Sequence, residues 1–246
     1  MPAQTFQELL KDMWFFFKNP QPQPEAWKSK SQAFKEMGQI LLIDYALMLL
    51  STIPLLLFLN KEIMDSHKMD EVLKEFPPLM IFFYGALLAP VMEEIAFRLY
   101  LRFSPLNLMI SFLLLSLFFG TMLPTSLLYH PVFMVVALLL VLSFLFLFRK
   151  RIAQSLEHFW RKQWAYIYYF SALLFGFFHL SNYELPVYQL ILLSPILVLP
   201  QILLGFILGY LRIKRGILAP ICLHILHNTG LLIPFLLYES KLLEGG

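Results

Sequence analysis

Pro90-Val91-Met92-Glu93-Glu94-Ile95-Ala96-Phe97-Arg98 sets two carboxylates and a guanidinium within six residues of a stretch otherwise apolar enough to sit in a bilayer. Each such group costs about 2.5 to 3.5 kcal/mol at the centre of a membrane helix on insertion scales. Leu at those positions would serve stability better, so the cluster points to chemistry.

The composition around this stretch fixes the class. Hydrophobic residues make up 59% of the 246, and the charged fraction of 14% falls well below that of soluble domains, which is roughly one quarter. The chain therefore reads as an all-α, polytopic transmembrane helical bundle. A bilayer core needs about 20 apolar residues per helix. Seven stretches meet that need, near Gln39 to Leu59, Pro78 to Phe103, Leu106 to Met122, Val132 to Phe148, Trp164 to Leu180, Val187 to Leu211 and Ile217 to Tyr238. The first lies too far in, behind too many charges, to be a cleavable signal peptide.

Basic residues orient the set. Lys28, Lys30 and Lys35 precede span one, Arg149, Lys150, Arg151, Arg161 and Lys162 fill the loop between spans four and five, and Arg212, Lys214 and Arg215 follow span six. All three regions fall on one side of a seven-span topology, which places the N-terminus in the cytoplasm and the C-terminus outside. No basic block suggests nucleic-acid binding. The lone Cys222 lies in an apolar segment and cannot form an intramolecular disulfide.

Ahead of span one, Phe6, Leu9, Leu10, Met13, Trp14 and Phe17 recur at helical spacing with polar residues between them. Residues 1–36 thus read as an amphipathic helix lying in the membrane interface, ended by the linker Pro20-Gln21-Pro22-Gln23-Pro24. Residues 37–246 form the membrane domain, in which spans three and four occupy about 105–148.

With about 3.6 residues per turn, Glu94 and Arg98 stack on one helix face, while Glu93 is rotated about 100° from Glu94. Arg98 is therefore the natural partner of Glu94, which leaves Glu93 free for base chemistry in a low-dielectric setting. The alternative is a buried salt-bridge triad that only fixes helix packing, but a packing pair needs one Glu, and here there are two.

Two further polar positions stand out. Span five ends Leu174-Phe175-Gly176-Phe177-Phe178-His179, and span seven carries His224-Ile225-Leu226-His227-Asn228. His224 and Asn228 face the same way and can donate two hydrogen bonds to one point, as an oxyanion requires. At about 1.5 Å of rise per residue, Glu93, His224, Asn228 and His179 lie roughly 15, 11, 17 and 22 Å from the inner end of their spans, close enough to share one level after tilt. His67 and His130 read as ordinary loop residues.

Glu93-Glu94-x-x-x-Arg98, Phe175-x-x-x-His179 and His224-x-x-x-Asn228, in this order, resemble the motifs of the CPBP family, the CAAX-protease and bacteriocin-processing group of intramembrane glutamic endopeptidases related to the Rce1-type CAAX prenyl protease. The approach Gly205-Phe206-Ile207-Leu208-Gly209 through Gly216-Ile217-Leu218-Ala219-Pro220 is also similar. The likeness spans roughly Leu87 to Gly230. It implies a metal-independent peptidase without cofactor. Glu93, helped by His179, would activate a water, His224 with Asn228 would hold the oxyanion, and Glu94, Arg98 and Phe175 would support the site. The implied substrate is a prenylated, leader-peptide or membrane-anchored chain in the plasma membrane of a prokaryote.

Two features depart from the family pattern. Spans three and four separate Arg98 from His179, although a two-span insertion preserves the parity of everything downstream. Leu99 stands where the family commonly has Gly, which bears on the shape of the substrate groove. Three rival readings remain: a zinc peptidase using His224, His227 and His179 without a His-Glu-x-x-His motif; a transporter lacking inverted halves; and a non-catalytic CPBP-fold protein for self-immunity or scaffolding.

Overall fold

The computed structural model describes residues 5–27, 29–58, 63, 66–67, 75–121, 139 and 150–244, and among the described residues the chain is helical with no strand. Helix α1 (Phe6–Lys18) leads through an extended Pro-rich segment into α2 (Lys30–Phe58). Next, α3 (Pro78–Phe82), a π-helical turn (Phe83–Leu88) and α4 (Ala89–Arg98) run on as one rod that closes in a 3-10 turn at Leu99–Leu101. The remaining elements are α5 (Pro105–Thr121), α6 (Lys150–Lys162), α7 (Trp164–Phe178) with a 3-10 turn at His179–Asn182, α8 (Val187–Leu197), α9 (Leu199–Arg215) and α10 (Leu218–Glu244).

Among the described residues, Lys30–Leu57 and Pro78–Leu101 are long and apolar enough to cross a membrane; α8 with α9 makes a third if that pair, bent by 52°, is one broken span. Shorter apolar helices cover Pro105–Gly120 and Leu218–Pro234. The continuous sixth span expected over Val187 to Leu211 is thus a bent pair. Pro195 lies inside α8 and Pro200 sits in the first turn of α9, where its missing N–H cannot extend the ladder from the helix before. The expected fourth span, Val132 to Phe148, lies outside the described residues apart from Leu139.

Two segments read from sequence as peripheral have defined places. The basic stretch expected as a loop is helical over Lys150–Lys162, with no buried residue, and Trp160 meets Tyr100 edge-on at 6.1 Å. Helix α1 opens with a capping box between Thr5 and Glu8, which satisfies two orphan N–H groups at once. Its Leu9, Met13 and Phe16 are buried, and Phe16 packs against Tyr168 and Tyr210 at 5.3 and 5.2 Å. Asp12 accepts from the Tyr210 hydroxyl at 2.6 Å and pairs with Lys214 at 3.3 Å. The helix is thereby docked on α9, while Trp14 and Phe15 remain exposed.

The C-terminal end of α4 is the best-secured point of the bundle. Carbonyls at a helix end have no intrahelical partner, and apolar surroundings offer no water to replace one. Here neighbouring helices supply donors: Ser171 Oγ to Phe97 O at 2.6 Å, Arg212 Nε and Nη2 to Arg98 O and Leu99 O at 3.0 and 2.9 Å, and Trp164 Nε1 to Leu101 O at 3.1 Å. Ser111 of α5 adds a bond to Ile95 O at 2.9 Å. Helix α7 then approaches α9 closely through small residues, since a Cβ on Gly205 would lie 3.0 Å from the Ala172 carbonyl oxygen and 3.1 Å from its Cα, the packing that membrane helices favour.

Because Gly205 faces backbone that cannot step aside, Gly205→Ala should destabilise the purified protein by about 1–3 kcal/mol. Gly38→Ala, whose Cβ would meet nothing within 4 Å, should instead stabilise by up to about 1 kcal/mol through helix propensity. Thermal unfolding of both variants in one detergent checks the opposite signs.

Candidate active site

Helix α4 carries its acidic pair into the centre of the bundle with different exposures. The Glu94 side chain is fully buried and that of Glu93 is 16% exposed. Arg98 Nη1 lies 3.4 Å from Glu94 Oε1, the partner that a four-residue stagger selects. The same Glu94 oxygen is 2.9 Å from His224 Nδ1 on α10. With Nδ1 donating to Glu94, the His224 ring presents Nε2 toward Glu93, whose Oε2 is 3.8 Å away. One carboxylate thus neutralises the arginine and fixes the histidine, and the other faces the open side.

Phe175 is the spacer between these groups. The Arg98 guanidinium carbon lies 3.8 Å from its ring centroid, a cation–π contact that partly compensates a cation whose nitrogens have no hydrogen-bond partner among the described residues. The same ring meets the imidazoles of His179 and His224 edge-on at 4.7 and 5.7 Å. His179 stands where α7 gives way to the 3-10 turn, and its Nδ1 donates to the Phe175 carbonyl at 2.8 Å. That bond holds the tautomer and leaves Nε2 as the free nitrogen.

Asn228 donates from Nδ2 to the Gly85 carbonyl at 2.8 Å. Gly85 belongs to the π-helical turn, in which Ala89 N–H bonds Tyr84 O five residues back; the residue five on from Gly85 is Pro90, which has no N–H, so the Gly85 carbonyl is open to the side chain. Of the two amide protons on Asn228, one is thereby committed and one remains.

Glu93, His179, His224 and Asn228 all line a single cavity of about 720 Å³. Glu94, Arg98 and Phe175 are not among its lining residues and stand behind it. Leu99 does not line it either; its carbonyl accepts from Arg212, so the residue that departs from the family pattern contributes to helix anchoring and not to the groove wall. Much of the wall is apolar, with Met80, Ile81, Leu204, Leu231 and Leu232.

The structure adds residues to which the glutamate reading of the sequence gave no role; His227 entered there only as a ligand in the rival zinc reading. His227 also lines the cavity, and its Nδ1 is 2.5 Å from Asp44 Oδ2 of α2. Asp44 is an ionisable residue inside an apolar span, the signal that singled out Glu93, and applying it to span one finds the residue. His67, read as an ordinary loop residue, lies on the cavity wall and forms an isolated backbone bridge with Tyr183, their rings 5.0 Å apart. Asn182 and Gln201 complete the polar lining. Among the described residues, no group of three His, Cys, Asp or Glu side chains is arranged to hold a metal ion.

The family model described as type II CAAX prenyl endopeptidase Rce1-like matches residues 75–230, more than half of the chain. The chain belongs to that family of CAAX-type proteases, and its apolar helices make it an integral membrane protein. No curated protein and no solved structure gives a match. The matched region contains Glu93, Glu94, Arg98, Phe175, His179, His224 and Asn228, whereas Asp44 lies outside it.

Removing one member of a buried pair leaves the other uncompensated, which typically costs about 3–5 kcal/mol. Arg98→Met should therefore lower stability by that order, because Glu94 loses its buried partner, and Arg98→Met combined with Glu94→Leu should recover at least half of the loss. Denaturant or thermal unfolding of the single and double variants tests the pairing.

Proposed function

We propose that the chain is an intramembrane glutamic peptidase in which Glu93 and His179 activate a water for attack on a peptide carbonyl. The observation that carries the reading is the convergence of Glu93, His179, His224 and Asn228, from three separate helices, on one cavity. Membership in a CAAX-protease family supports it independently.

In this mechanism Glu93 accepts a proton from the water, with His179 Nε2 holding the water in line. The oxygen attacks the carbonyl carbon, and charge develops on the carbonyl oxygen. His224 Nε2–H and the second amide proton of Asn228 receive that charge; His224 then carries protons on both nitrogens, its Nδ1–H held by Glu94 at 2.9 Å, and its charge is met by the oxyanion, since Glu94 already compensates Arg98. Preorganised donors of this kind are worth most where water is excluded and the dielectric is low. Arg98 and Phe175 act as positioning residues through Glu94 and the two imidazole rings. The reaction assigned to these residues uses no metal and no cofactor.

The apolar wall suits a lipidated or strongly hydrophobic substrate: a prenylated peptide, a leader peptide or a membrane-anchored chain. The topology we assign is seven spans with the N-terminus cytoplasmic and the C-terminus outside, in a prokaryotic plasma membrane. Residues 1–36 form an N-terminal interfacial helix with its Pro-rich linker, and residues 37–246 form the protease domain, with a hairpin at about 105–148 inserted between the first and second motifs.

In proteoliposomes presented with an S-prenylated CAAX-type peptide, Glu93→Gln and His179→Ala should each lower turnover by about 10² to 10⁴-fold. Asn228→Ala should cost about 10² to 10³-fold. A strong chelator should leave the wild-type rate unchanged. Full activity of Glu93→Gln, or loss of activity to the chelator, would overturn the assignment.

A further inference from the structure

We infer that Asp44 and His227 form a second dyad in the cavity, in which His227 is the acid that protonates the departing amine. This rests on the peptidase reading above and adds the step that reading leaves without a dedicated group. Hydrolysis of an amide needs one group to take a proton from water and a proton delivered to nitrogen as the carbon–nitrogen bond breaks. Glu93, His179, His224 and Asn228 are engaged with the water and the oxyanion.

The geometry singles out His227 for that task. It shares the cavity wall with Glu93, while Asp44 is absent from the wall and stands behind the ring. Asp44 is 2% exposed and His227 7%. The Nδ1 contact of 2.5 Å to Asp44 fixes the ring orientation and leaves Nε2 as the atom free to reach the cavity. A carboxylate in this position orients an imidazole and compensates the charge of the imidazolium. Along α10, His227 is about 1.5 Å from Asn228 and about 4.5 Å from His224 in axial rise, level with both oxyanion donors, but turned about 100° from Asn228. A proton from His227 thus comes from a different side of α10 than the amide of Asn228.

The surroundings hold the ring still. Tyr45, beside Asp44 on α2, stacks on it with centroids 5.6 Å apart and planes at 23°. The Tyr45 hydroxyl donates to the Leu226 and His227 carbonyls, each at 3.2 Å. A Cβ on Gly230 would overlap that hydroxyl, so the glycine is what lets α2 close on α10 at this level. Packing alone does not require these residues, because an apolar pair of similar size would fill the space without desolvating a carboxylate.

The step balances as follows. The water gives one proton to Glu93, and its oxygen bonds to the carbonyl carbon. On collapse the carbon–nitrogen bond breaks, its electron pair goes to nitrogen, and nitrogen takes the proton from His227 Nε2. Glu93 then returns its proton to His227 through solvent in the cavity, and the new carboxylic acid ionises to the amine, giving carboxylate and ammonium products.

The test compares an S-prenylated CAAX-type peptide with its phenyl ester, in which phenoxide replaces everything from the scissile nitrogen onward. Phenoxide leaves without a proton. With the full chain in proteoliposomes, His227→Ala should slow amide cleavage by about 10²-fold, whereas ester cleavage should stay within a few-fold of wild type, which also shows that the variant is folded. Asp44→Asn should show the same selectivity with an amide loss of about 10-fold, carried in kcat and not in KM. Equal losses on amide and ester, or no loss on either, would overturn the role. Glu93→Gln should lose both substrates, because both need the activated water. If Glu93→Gln stays active or wild type cleaves neither compound, the peptidase reading itself fails and the dyad's role falls with it.

Discussion

A carboxylate with no exposure to solvent, that of Glu94, sets the terms for the rest of the bundle. Its Oε1 is 3.4 Å from Arg98 and 2.9 Å from His224, so it ties the middle of α4 to α10 and compensates the one guanidinium beneath Phe175. A charge at this depth is tolerated only where partners are fixed. Those partners are fixed because the end of α4 is held from outside: Ser171, Arg212 and Trp164 take up the carbonyls that the helix end leaves without intrahelical partners. Anchoring a helix terminus and holding the buried Glu94 carboxylate in place are thus one structural task.

On the cavity side the same logic recurs with backbone irregularities. The π-helical turn frees Gly85 O for Asn228, and the 3-10 turn after α7 sets His179 against its own upstream carbonyl at Phe175. Regular helix would leave neither side chain with this partner. On the wall, His179, His224, His227 and Asn228 are each held by one bond to a group behind the cavity and each keeps a second nitrogen or amide proton uncommitted by that bond, which is the condition for preorganised chemistry in an apolar medium.

Much of this was legible from single helices. The stagger of Glu94 and Arg98, the freedom of Glu93 and the shared face of His224 and Asn228 follow from helical periodicity. The all-helical class follows from composition. What spans three to four residues along a helix can be read, because the helix itself supplies the geometry. The Asp44 to His227 contact bridges 183 positions, so no local pattern announces it. The docking of α1 through Asp12 and Tyr210 is equally non-local. The bend between α8 and α9 was written in Pro195 and Pro200, but an uninterrupted hydropathy run over Val187 to Leu211 outweighed them in the span assignment. The amphipathic character of Lys150–Lys162 was masked by its basic residues, which read first as a loop.

In the proposed reaction Glu93 acts on water and never bonds to the substrate. A single-turnover cleavage in H₂¹⁸O, followed by mass analysis of both product and enzyme, examines it directly. The account predicts one ¹⁸O in the new C-terminal carboxylate of the product at the first turnover and none in the peptide containing Glu93. Label in the Glu93 carboxylate, with an unlabelled first product, would mean that the glutamate attacked the carbonyl itself and would contradict the account.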